Sequence, residues 1–193
     1  MTRTGRPAPP PDEASLHEAA LAHLARYGGS EAGLRRVLER RIARWARSAA
    51  IADPERLAQA VGAARQAASA VVARLAASGA VNDAEFATVR ARRLARSGRS
   101  RRAILAHLGE RGVAGEVARA SLPDAEESEL AAAVATSRRR RIGPFRTGEV
   151  DQETRRRDLA ALARAGFSQE IARRAIAMPV EAAESLLIRL RNG

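Results

Sequence analysis

The sequence predicts an all-α fold: an elongated tandem array of three-helix, helix-turn-helix-like repeats. Three observations point there. Aromatics are only 3% of the chain, and Ala and Leu dominate an apolar set that makes up 46%. Ala and Leu lose little entropy in a helix, whereas strands favour β-branched and aromatic residues in alternation, and no such run occurs. Apolar residues recur instead at spacings of three and four. Finally, stretches of the chain repeat one another.

Taken in order, the helices are expected at about 14–27, 31–47, 54–78, 83–97, 101–111, 114–121, 125–140, 152–165, 168–177 and 180–191. The first places Leu16, Ala20, Leu24 and Tyr27 on one face; the second places Leu34, Leu38, Ile42 and Trp45 in phase. The third carries Leu57, Val61, Val71, Val72 and Leu75. Their ends follow from punctuation. Glycines at 28–29, 79, 98, 112 and 166 each close an apolar-periodic stretch, where a left-handed C-terminal cap is expected. Ser30, Ser100 and Ser168 stand just past a glycine as capping residues. Asn82 with Glu85, and Asp124 with Glu127, have capping-box spacing, and Asp53-Pro54 puts proline at a first helical position.

The repeat is clearest between "LAHLGERGVAGEVARASL" from Leu105 and "LAALARAGFSQEIARRAI" from Leu159, which superpose without gaps. Leu105 matches Leu159, Leu108 matches Leu162, Gly112 matches Gly166, Val113 matches Phe167, Val117 matches Ile171 and Leu122 matches Ile176. A weaker copy, "SEAGLRRVLERRI" at 30–42, echoes "SRRAILAHLGERGV" at 100–113. Each copy is too small to bury its own apolar face, so copies must pack on neighbours. The domain plan that follows is a disordered Pro-rich tail at 1–14 and a first repeat at 15–80 with an insertion at about 42–58. A central repeat at 81–122, a third at 123–178 with a basic loop at 138–150, and a C-terminal helix at 179–193 complete it.

Composition excludes much chemistry. No Cys is present, so disulfides and thiolate metal sites are ruled out. His17, His23 and His107 have no carboxylate or nucleophile at ligand or catalytic spacing, and they read as surface or boundary residues. No phosphate-binding glycine loop or HExxH motif occurs, so the chain reads as a binding protein rather than an enzyme, with no cofactor. No segment has the apolar length of a membrane span and the Pro-rich start is no signal peptide, so a cytoplasmic protein without a membrane partner is expected.

The net charge is +12, and all 34 basic residues are Arg. A GC-rich coding sequence accounts for Arg in place of Lys; the excess of base over acid points to a nucleic-acid or acidic partner. Arginine gathers in three places. Arg35, Arg36, Arg40, Arg41, Arg44 and Arg47 line the second helix. Arg90, Arg92, Arg93 and Arg96 continue through Arg99, Arg101 and Arg102, with Arg92, Arg96 and Arg99 expected close together. Arg138, Arg139, Arg140 and Arg141 form the third group, with Arg155 to Arg157 near in sequence. The second group is the leading candidate for contact because Glu85 is its only acidic neighbour. Trp45 can stack on a base or close the apolar stripe of its helix; the stripe is the favoured reading.

Residues 81–122 resemble the RecX family, regulators of the RecA recombinase. The resemblance rests on Val81, Asn82, Asp83, Phe86 and Ala87, then on Arg90, Arg93, Gly98, Ile104, Leu108, Gly112 and Val113. "LARAGFSQEIARRAI" looks like that family's third repeat and "ALAHLARYGGSEAGLRRVLERRI" like its first, so the resemblance covers about 15–178. Gly33 departs from the acidic residue usual before the Leu. The resemblance implies a protein that binds the RecA filament and inhibits its recombinase, ATPase and coprotease activities in DNA repair and the SOS response; a monomer is expected. It also implies contact with single-stranded DNA or the filament's phosphate backbone. The alternative is a helix-turn-helix regulator acting on duplex DNA, with Ser100, Arg101 and Arg102 at the start of its recognition helix. A third reading is an interaction array that binds protein only.

Overall fold

The computed structural model describes residues 8–123 and 126–192. Among these the chain forms ten α-helices and no strand. They are α1 (Glu13–Tyr27), α2 (Glu31–Ser48), α3 (Pro54–Ala77), α4 (Asp83–Arg96) and α5 (Arg101–Glu110), followed by α6 (Gly115–Ala120), α7 (Glu126–Arg140), α8 (Gln152–Arg164), α9 (Gln169–Ala177) and α10 (Val180–Asn192). A 3-10 turn, Gly143–Phe145, lies where a plain loop was expected. Asp124 and residues 1–7 of the Pro-rich tail lie outside the described residues.

Side-chain caps explain where the helices start. Asp12 accepts from Ser15 N–H at 2.9 Å, Ser30 from Gly33 at 3.1 Å and Asp53 from Glu55 at 2.9 Å. Asn82 accepts from Ala84 and Glu85, Ser100 from Ala103, Asp151 from Thr154 and Ser168 from Ile171. Each satisfies an N–H that the helix leaves without an internal partner. The Ser15 and Thr154 hydrogen bonds hold the carboxyls of Asp12 and Asp151 below their ordinary value.

The chain divides into two compact units. The first comprises residues 1–86 together with Arg111–Val113. In it α3 packs against both α1 and α2, burying Leu16 and Ala20 against Leu34, Leu38 and Ile42, and against Ala64, Ala68, Val71, Val72 and Leu75. Residues 42–58, where an insertion was expected, comprise the end of α2, a connection at 49–53 and the start of α3. α2 has 18 residues and α3 has 24, whereas α5 has 10 and α6 has 6. Trp45 closes the α2 stripe at 7% exposure, and its indole N–H donates to the Ala8 carbonyl at 2.9 Å. Tyr27 corrects the expected α1 stripe. It is 64% exposed and sits against His23, with ring centroids 5.3 Å apart. In the last turn the ring finds a partner one helical turn back and keeps its hydroxyl in water.

The second unit comprises residues 87–110 and 114–193. At its centre α7 packs against α9 and α10, and α8 packs against α9. Leu130 through Val134 are buried without interruption, so this helix is covered on most sides. Beyond α7, Arg141 takes the left-handed conformation (φ 54°), and its N–H and that of Ile142 bond back to Arg138 and Ser137. The Gly143–Phe145 turn is then tied to α8. Asp158, 2% exposed, accepts from Gly143 N–H at 3.0 Å, from Arg146 Nε at 3.2 Å and from Arg146 Nη2. The Asp158 carboxylate keeps the Arg146 guanidinium charged, raising its pKa.

One device occurs twice, once in each unit. In the first, the Ser30 hydroxyl that caps α2 also donates to the Arg111 carbonyl at 2.6 Å. Gly112 follows at φ 81°, and a Cβ there would lie 2.3 Å from that of Ala32. The Glu31 N–H, also at the start of α2, bonds Asp83 Oδ1 at 2.8 Å. In the second, the Ser100 hydroxyl that caps α5 donates to the Ala165 carbonyl at 2.8 Å. Gly166 follows at φ 96°, and a Cβ there would lie 2.5 Å from Ser100 Oγ. The Arg101 N–H bonds both oxygens of Glu129, at 3.2 and 2.9 Å. In both cases a serine cap grips a carbonyl just before a left-handed glycine, and a distant carboxylate takes the next N–H. The carboxylate also meets the positive end of the helix dipole. Half-burial nevertheless raises the pKa of Glu129, a shift that the Arg101 N–H and charge oppose.

Gly112→Ala and Gly166→Ala should each cost about 2–4 kcal/mol, from left-handed strain plus a clash that close packing cannot relieve. Gly79→Ala, at φ 74° with nothing within 4 Å, should cost only about 1 kcal/mol. Urea unfolding of the three variants checks the difference. Asp158→Ala should cost about 3 kcal/mol, because it strands Arg146 and the Gly143 N–H. Glu129 has a calculable pH sign. Its folded pKa is raised, so the folded chain binds this proton more readily than the unfolded chain. Stability from that proton is present on the acid side and lost as pH rises through the raised value. Thermal unfolding should therefore show the parent gaining on Glu129→Gln as pH falls from neutrality towards the ordinary glutamate value.

Candidate nucleic-acid interface

Arginines far apart in sequence meet in one groove of about 900 Å³ in the second unit. Arg99 comes from the α4–α5 turn, Arg102 from α5, Arg139 and Arg140 from the end of α7, and Arg164 from the end of α8. All five are exposed, and Ser97, Gly98, Ala103, Ala106, Thr136 and Ala165 complete the lining. Among the described residues the lining contains no carboxylate and no histidine.

Backbone contacts bring these side chains together. Gly98 turns the chain at φ 85°, and a Cβ there would lie 2.8 Å from Thr136 Oγ1 and 3.2 Å from the Ala132 carbonyl. Thr136 donates to the Gly98 carbonyl at 2.6 Å, and Arg139 Nη1 donates to the Ser97 carbonyl at 2.7 Å. The end of α7 is thereby latched to the turn carrying Arg99. The Ser100–Ala165 hydrogen bond likewise sets Arg164 beside Arg102. Sequence reasoning missed Arg164. Its counterpart in the central copy is Glu110, so the repeat alignment hides it. Its usable signal is its place one residue before the Ala165-Gly166 turn.

The other candidate arginines go elsewhere. Arg92 and Arg96 are not grouped with Arg99; they line a separate groove with Arg189, because the α4 helix ends and the chain turns at Gly98 before Arg99. Arg90 donates from Nε to His107 Nε2 at 3.1 Å. Arg101 donates from Nη1 to the Pro123 carbonyl at 2.9 Å. Arg93, Arg138 and Arg141 are exposed and line neither groove. In the first unit α2 exposes Arg40, Arg41, Arg44 and Arg47, whereas Arg36 bonds the Arg111 carbonyl at 3.0 Å. Trp45, being buried, is withdrawn from base stacking.

Five water-accessible guanidinium groups without a compensating acid form a site for phosphate or carboxylate oxygens. A major-groove recognition helix fits poorly, because the start of α5 is occupied by Ala165, Glu129 and Pro123. No group of His, Asp and Glu among the described residues could hold a metal ion. No helix among them is long and apolar enough to cross a membrane.

Comparison with known proteins bears on the family of the chain rather than on the groove. A family profile described as "RecX, second three-helix domain" matches residues 82–122, which contain α4, α5 and α6. The chain is similar to the "Regulatory protein RecX" of Myxococcus xanthus strain DK1622, with 43% identity over 164 residues, covering 83% of each chain. It is also similar to the "Regulatory protein RecX" of Agrobacterium fabrum strain C58, with 40% identity over 108 residues, covering 56% of this chain and 58% of that one. An all-helical chain with the second three-helix domain at its centre, and a relative of this identity and coverage, belongs to the RecX family of regulatory proteins.

Proposed function

We propose that the protein is a regulator of RecA: it binds the RecA filament on single-stranded DNA and inhibits its recombinase, ATPase and coprotease activities. Family membership supports the class of function. The observation that carries the finer reading is the convergence of Arg99, Arg102, Arg139, Arg140 and Arg164 in one groove without an acidic residue. Such a groove suits a phosphate backbone, from which bound cations are released, and it reads no base edges. On this reading the chain acts as a monomer in the cytoplasm. Three copies, at 15–80, 81–122 and 123–178, carry the contacts, and the helix at 179–193 closes the third. Several weak contacts held on one chain gain avidity along a polymeric target. Arg139 has a double part, since it also holds the Ser97 carbonyl, so Arg99, Arg102 and Arg164 are the cleaner probes.

RecA ATPase and strand exchange on single-stranded DNA should fall as the protein is titrated in. The Arg99→Ala/Arg102→Ala/Arg164→Ala variant should inhibit more weakly. The slope of log affinity for single-stranded DNA against log salt should flatten by about 2, the value for three lost phosphate contacts. Arg101→Ala should leave that slope unchanged. Full inhibition by the triple variant would remove the groove from the mechanism, and no effect of the parent chain on RecA would remove the reading.

A further inference from the structure

The second unit contains another groove whose chemistry differs from the first. α4, α7 and α10 enclose about 380 Å³, within the range of pockets that take small ligands or anchoring side chains. Its floor is apolar: Ala95, Ala131 and Leu186 are 5%, 3% and 4% exposed, and Leu190 is partly buried beside them. Its rim is cationic, with Arg92 and Arg96 one helical turn apart on α4 and Arg189 on α10. Arg92 and Arg96 pair with no acid among the described residues, and Glu127 is the one carboxylate in the lining. Glu127 meets Arg189 at 3.1 Å in a pair whose side chains are both more than 60% exposed, so an incoming carboxylate can exchange with it at little cost.

The floor distinguishes this groove from the one lined by Arg99 and Arg102. A phosphate backbone gains nothing from buried Leu and Ala. A peptide that brings an aliphatic side chain gains their burial, and carboxylates one turn apart on that peptide would meet Arg92 and Arg96. Peptide helices dock in apolar grooves in this way, anchored by residues at turn spacing. We infer that the α4–α7–α10 groove docks an acidic, aliphatic-bearing segment of the protein that this chain regulates. The inference rests on the reading that the target is a protein filament, and it separates the protein-binding surface from the phosphate-binding one.

The test uses the full chain and two exposed-surface variants, Arg92→Glu/Arg96→Glu and Arg102→Ala/Arg164→Ala. The first probe is a fluorescein-labelled, helix-forming peptide of Leu and Glu, read by anisotropy. The parent should bind it, the Arg92→Glu/Arg96→Glu variant should bind about tenfold more weakly, and the other variant should stay within about twofold. A single-stranded oligonucleotide should not displace it. Equal binding by Arg92→Glu/Arg96→Glu, or displacement by the oligonucleotide, would overturn the inference. The second readout is RecA ATPase. Arg92→Glu/Arg96→Glu should raise the half-inhibitory concentration about tenfold while keeping oligonucleotide affinity. Parent-like inhibition by this variant overturns the groove and leaves the RecA reading standing. A parent chain that leaves RecA untouched overturns the RecA reading, and the peptide result then judges the groove by itself.

Discussion

The serine hydroxyl at the start of α2, and its counterpart at the start of α5, carry the greatest structural constraint in this protein. Each accepts an N–H from its own helix and donates to a carbonyl far away in sequence, at Arg111 or Ala165. The residue after that carbonyl is a glycine in the left-handed region, packed so closely that a methyl group has no room. Neither hydroxyl can be lost without leaving a helix start and a distant turn unsatisfied together, and both serines are buried. Small helical copies with few large side chains have little apolar area to offer one another, so directional hydrogen bonds fix the register that packing alone would leave loose. The third copy departs from this. The residue matching Ser100 is Thr154, which lies inside α8 after its Asp151 cap.

The same constraint redistributes the arginines. With the start of α5 filled, Arg101 is turned to a carbonyl and the neighbouring Arg99 and Arg102 face the groove. Many of the remaining guanidinium groups also serve structure. Arg36 and Arg139 hold carbonyls, Arg90 holds His107, and Arg146 holds a buried carboxylate with two nitrogens. A lysine could reach one such acceptor but could not span two with fixed geometry. Arg139 and Arg146 thus occupy positions that use the planar fork. The arginines divide among internal bonds, a groove whose lining holds no acid, an apolar-floored groove and exposed helix faces such as that of α2.

Much of the fold was legible because its signals are local. Each helix end lies within one residue of where periodicity, glycine and capping side chains put it, since those signals act over a single turn. The far partners were not legible. Ser30 announces a cap, but the Arg111 and Ala165 carbonyls have no side-chain identity to read. Nor does anything in α8 reveal that a 3-10 turn brings Gly143 and Arg146 over Asp158. Arg99, Arg102, Arg139 and Arg140 were identified as candidates, but their convergence depends on Gly98 and Thr136 touching across the chain. Arg101 shows the same limit: its charge is visible in sequence and its Pro123 carbonyl partner is not.

The single tryptophan has a consequence for watching the molecule at work. Trp45 belongs wholly to the first unit, with its indole hydrogen-bonded to the Ala8 carbonyl and closed under the α2 stripe. The second unit, which contains both grooves, has no indole at all. Intrinsic fluorescence is therefore a private reporter of the first unit, including release of the segment at Ala8, while circular dichroism averages over both. Any interval between the two signals during melting or ligand addition measures how far the grooves can loosen while the amino-terminal helices hold, a separation of foldons that the chain labels for itself.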